Sequence, residues 1–168
     1  VGDLNGAHKT LRSGNRGRVW GLGGLNRAAV VLSVAGLEAY VENVVIEVVD
    51  AIRPTTVVPG DTWSSLSADA RRETGKFNTP TPANIEWLVR KTLGLAAVST
   101  HWHWQSCTIA QARANLDVLV NQRHEAAHGV VPRPNIRNHT AEWAPLFIAR
   151  IARCTDNAIK AYAQASLG

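Results

Sequence analysis

Residues 26–52 read NRAAVVLSVAGLEAYVENVVIEVVDAI, and the fold class turns on whether this stretch is helix or strand. Valine favours strands. Yet the apolar spacing is helical and almost continuous, and no strand alternation with hairpin turns appears here or elsewhere in the chain. The stretch is therefore predicted to be one long, largely buried helix ended by Pro54, with strands as the alternative reading. Glu38, Glu42, Glu47 and Asp50 interrupt it, which argues against a membrane span.

Working outward, the opening residues Asp3 to Arg12 carry a short helical pattern, and Ser13 to Gly17 and Gly21 to Gly24 read as loop. The connection from Pro54 to Pro82 holds one short helix, about Thr62 to Thr74, with Asp61 as its cap. Thr81-Pro82 starts a helix over 83–93 striped by Ile85, Leu88, Val89 and Leu93. Another runs from near Thr108 to His128 and is stopped by Gly129, Pro132 and Pro134. The last spans about Thr140 to Ser166. These elements predict an all-α bundle of four to five main helices in a single domain, residues 1–168, with residues 1–25 partly loop.

The 168 residues are 45% hydrophobic, enough for a real core, so a disordered tail is excluded. The formal net charge is +5, and fourteen of the eighteen cations are arginines, a bias towards phosphate partners that a GC-rich genome also produces. Two cysteines, Cys107 and Cys154, make no disulfide pattern, consistent with a reduced compartment. With no secretory signal visible, a cytoplasmic location with no membrane attachment is expected. Methionine is absent, position 1 included, which points to a trimmed or processed form of a longer chain.

Residues 28–52 carry −4 in this basic protein, and one of these acids is out of place. Val34, Glu38, Val41, Val45 and Val49 share one helix face, while Asn43, Glu47 and Asp50 mark the solvent side. A carboxylate in that stripe must be neutral, reach the bundle edge or meet a cation, because burying it unpaired costs several kcal/mol. Glu38 therefore reads either as a structural group or as a site carboxylate whose partner interrupts an apolar stripe on another helix. Arg123 does so, within the face formed by Leu116, Leu119, Val120 and Ala127.

Around Arg123 stands the densest chemistry in the chain, Asn121-Gln122-Arg123-His124-Glu125-Ala126-Ala127-His128-Gly129. His124 to His128 satisfies H-E-x-x-H, in which two imidazoles on successive turns share a zinc. The downstream ligand spacing is missing, since Val131 and Pro134 stand where glycine and histidine are needed, and Glu142 lies beyond a proline-rich break. A zinc hydrolase is accordingly an alternative, and no metal or other cofactor is expected. The other reading pairs Arg123 with His128 as R-x4-H, about 140° apart around one helix, so both must face a cleft completed by another helix or subunit. His128 also sits where a helix end attracts positive charge, and it reads equally as a simple terminating residue.

Three pieces together resemble the HEPN superfamily, in particular its RiboL-PSP-HEPN branch, over nearly the whole chain. They are Asn26 to Leu32 continuing into Leu37-Glu38-Ala39-Tyr40-Val41-Glu42, then Thr79-Pro80 to Ile85 with Leu93-Gly94-Leu95 and the pair Trp102 and Trp104, and lastly Leu119 to Gly129. The resemblance implies a helical bundle that dimerises so that two R-x4-6-H motifs face one composite cleft. It implies a metal-independent endoribonuclease, often a toxin or antiviral effector with an antitoxin or regulatory partner, although other members only bind. By position, Arg123 and His128 would be catalytic, His124 supportive, and Glu38 the acid orienting them. Asn121, Arg133 and Arg137 are expected to contact RNA. Trp102 and Trp104 read either as core or as stacking platforms for bases, and His101 and His103 as surface or metal ligands.

Overall fold

At helical spacing along 26–52, Val30, Val34, Leu37, Val41 and Val45 lose all solvent contact, while Asn43, Glu47 and Asp50 stay exposed. In the computed structural model this stretch is α1, Leu22–Ala51. Residues 22–51, 60–128 and 135–167 are described, together with Gly6 and Thr10. Apart from Gly6 and Thr10 the expected opening helix lies outside them, as do the loop at 13–17, Pro54 and the helix stop at Gly129, Pro132 and Pro134. Then follow α2 (Gly60–Thr74), α3 (Pro82–Leu93), a 3-10 turn (Val98–His101), α4 (Ile109–Ala127) and α5 (Asn138–Leu167). Among the described residues there is no strand, only an isolated bridge between Trp104 and Cys107, so the fold is an all-α bundle.

Each helix end has a local cause. Thr81 caps α3 by accepting the Asn84 N–H, Pro82 occupies the first turn, and Gly94, at φ 81°, closes the helix in a left-handed conformation. Thr108 and Gln111 cap α4 reciprocally, side chain to backbone in both directions. Two expectations shift. Helix α1 begins at Leu22 and takes in the exposed Gly23 and Gly24, which the sequence places in a loop; the turn they form runs directly into the buried Asn26, whose bond to the Ile136 carbonyl anchors this end of the helix. Asp61 lies inside the first turn of α2 rather than capping it, since the helix already starts at Gly60.

Helix α1 touches all four other α-helices, most extensively α5, then α4 and α2. The core joins its valines to Ile85, Leu88 and Val89 of α3, Leu116 and Leu119 of α4, and Phe147 and Ile151 of α5. Each large side chain so buried contributes roughly 1.5–3 kcal/mol. That packing also carries α5 through Pro145, which cannot donate a helical hydrogen bond. By length and composition residues 23–51 are apolar enough to cross a bilayer, which tempers the exclusion drawn from the acids; in this fold 44% of the most apolar window is buried.

Trp102 is fully buried and donates its Nε1–H to Thr155 Oγ1 at 2.9 Å. It is a core residue, and no base can stack on it. Trp104 is half-buried against Phe147, with Arg150 over its ring at 5.8 Å. Asn26, buried at the start of α1, donates to the Ile136 carbonyl at 2.9 Å and so anchors the segment leading into α5.

Candidate functional site

Glu38 lies mid-way along α1 and Arg123 near the end of α4, 85 residues apart in sequence. The two helices pack so that Arg123 Nη2 donates to Glu38 Oε2 at 3.3 Å, with side chains only 23% and 21% exposed. The two charges that break their apolar stripes therefore meet. Burial lifts the Glu38 carboxyl above the usual carboxylate range, Arg123 pulls it back, and Glu42 pushes it up again. The contact is single and long for a charge-assisted bond, so most of the guanidinium donors remain available. Among the described residues the Arg123 side chain has no other hydrogen-bond partner.

One residue on, α4 leaves the core. Asn121, His124, Glu125 and His128 are exposed, and so is Ala127, which helical spacing had put on the buried face. Val120 is the last buried residue of α4, and Gln122, Arg123 and Ala126 beyond it are half-buried. His128 terminates the helix, donating its backbone N–H to the His124 carbonyl at 3.0 Å. The two imidazole rings lie 4.4 Å apart, tilted by 48°. The half-buried Gln122 points a buried side-chain carbonyl that no described residue satisfies.

Arg137 is exposed just before α5, whereas Arg133 lies outside the described residues. His101 and His103 are exposed on the short connection after α3. Among the described residues no three of His, Cys, Asp and Glu gather as metal ligands, so His124 and His128 stand without the third donor that a hydrolytic zinc needs. Both cysteines are free, Cys107 buried and Cys154 half-buried.

A second polar cluster escaped the reading of the sequence. Arg113 Nη1 donates to Glu86 Oε1 at 2.7 Å, and the fully buried Ser99 hydroxyl bonds to both partners. It ties α3, the 3-10 turn and α4 together beside a hollow of about 490 Å³ lined by Glu86, Trp87 and Arg90. The signal was available, since Glu86 interrupts the row Pro82, Val89, Leu93 just as Glu38 interrupts its valines.

No family model matches the chain, and no curated protein or solved structure matches it. A guanidinium held by a carboxylate, with two imidazoles one and five residues further on, offers a phosphate clamp and two proton carriers within one turn and a half of helix.

Proposed function

We propose that this protein is a metal-independent endoribonuclease of the HEPN type, acting as a homodimer whose two α4 ends form one cleft. The observation that carries the reading is the Glu38–Arg123 pair, which fixes a guanidinium with free donors beside exposed histidines. In the reaction the ribose 2′-oxygen attacks the adjacent phosphorus and the P–O5′ bond breaks. The products are a 2′,3′-cyclic phosphate and a 5′-hydroxyl. His128 takes part in proton transfer, from the attacking hydroxyl or to the leaving oxygen, and His124 supports it. Arg123 holds the phosphate and offsets the charge that grows on its oxygens, while Glu38 keeps the guanidinium in place. Asn121, Arg133 and Arg137 guide the RNA strand. A toxin or antiviral role in the cytoplasm, restrained by an antitoxin or regulatory partner, is part of the same proposal.

The test is incubation of the full chain with end-labelled single-stranded RNA in EDTA, with analysis of the new ends. Cyclic phosphate termini are expected, and His128→Ala should slow cleavage by roughly 10²- to 10⁴-fold. Arg123→Lys should lose most of the activity, because the planar fork goes although the charge stays. Binding without cutting would favour a non-catalytic module, and a His128→Ala protein cutting at the parental rate would refute the assignment.

A further inference from the structure

His124 and His128 are an imidazole pair on successive turns, both exposed, with no protein hydrogen-bond partner for either ring among the described residues. Each exposed ring thus keeps its nitrogens free of hydrogen bonds to the described residues. The centroids are 4.4 Å apart, and two imidazoles on one tetrahedral zinc, with Zn–N near 2.0–2.1 Å, place theirs about 5 Å apart. A small side-chain rotation closes that gap, because helix α4 already holds both residues on one side. Asn121, one turn earlier and equally exposed, adds an amide oxygen to that side. Two nitrogens and one neutral oxygen suit a borderline ion such as Zn²⁺, Ni²⁺ or Cu²⁺ and not Mg²⁺, which prefers hard oxygens.

We infer that the His124–His128 pair, with Asn121 beside it, is a capture site for such an ion, and that occupancy switches the site off. The inhibitory half rests on the ribonuclease reading; the capture itself does not. Metal binding ties up the imidazole lone pairs, so His128 can no longer accept a proton. With only two nitrogen ligands and no carboxylate or thiolate completing the set, the ion is held reversibly. Zinc would therefore oppose catalysis here, the reverse of what H-E-x-x-H suggests at first sight.

The experiment titrates ZnCl₂ into the chelator-free full chain by calorimetry, and follows imidazole resonances by NMR. One Zn²⁺ per chain at micromolar affinity is expected, tighter for Cu²⁺ in the Irving–Williams order. His124→Ala and His128→Ala should each weaken binding at least about tenfold with an unchanged circular dichroism spectrum. Cys154→Ser should leave binding intact, since the cysteines are not ligands. In parallel, RNA cleavage should be fastest in EDTA, fall with zinc occupancy and ignore millimolar Mg²⁺. Absence of zinc binding, or binding indifferent to both histidine substitutions, would overturn the capture site. Cleavage persisting at saturating zinc would overturn the inhibition. Histidine-dependent zinc binding by a protein that cuts no RNA would support capture and refute the ribonuclease reading.

Discussion

Replacing Arg123 by methionine leaves the Glu38 carboxyl in its partly buried position without its cation. Burial already holds that group above its ordinary value of 4.5, and Arg123 is the influence that lowers it, so the substitution raises it further. A carboxyl raised in the folded state gives its full stability below the unfolded value and loses it as pH rises through the folded one. The deficit of Arg123→Met relative to the parent should therefore be small at about pH 4.5 and grow towards about pH 7.5. Breaking a fully buried pair costs roughly 3–5 kcal/mol. Here the side chains are 23% and 21% exposed and share one 3.3 Å contact. The expected loss at neutral pH is thus lower, about 2 kcal/mol. Glu38→Gln should cost less than about 1 kcal/mol, because it removes the desolvated charge and leaves a guanidinium that water reaches. The double variant should recover most of the Arg123→Met loss. Urea unfolding followed by circular dichroism at both pH values measures all four proteins. An Arg123→Met deficit that is the same at both pH values, or a double variant as unstable as the two singles added, would show that the pair is not what holds Glu38 ionised.

Three further outcomes test the packing. Thr155→Val removes the acceptor of the buried Trp102 Nε1–H; the expected loss is about 1–3 kcal/mol, read as a lower Tm, and an unchanged Tm would contradict the bond. Gly94→Ala forces an alanine to the left-handed φ of 81° with its Cβ 3.0 Å from the Tyr162 hydroxyl. A loss of about 1 kcal/mol or more is expected in chemical denaturation. Thr81→Ala deletes the acceptor of the Asn84 N–H and should cost about 1 kcal/mol, with hydrogen exchange rising first in the opening turn of α3.

Much of the fold was legible because helices report themselves locally. The periodicity of residues 26–52, the Thr81-Pro82 start and the helix start near Thr108 each depend on residues within a turn or two, and α1, α3 and α4 lie close to where those signals put them. What failed were places where packing decides. Gly23 and Gly24 are helical although exposed, in a turn that leads into the anchored Asn26, and Ala127 is exposed because the buried stripe of α4 ends at Val120. The tryptophan pair reads more readily as core than as a stacking platform, because indoles between helices are mostly buried. The acceptor supplied by Thr155, 53 residues away, settles Trp102 as core.

The same division runs through the candidate site. That Glu38 and Arg123 each break an apolar stripe, and that two histidines follow the arginine at helical spacing, is visible in the amino-acid order alone. Glu86 does the same in the row Pro82, Val89 and Leu93. That Glu38 meets Arg123 across 85 residues, that Glu86 meets Arg113 and Ser99, and that both histidines are exposed follows from the packing of the helices. The physical reason is that periodicity assigns a side chain to a face of its own helix. Which face of which other helix it meets follows from how the whole set of apolar stripes packs together around α1.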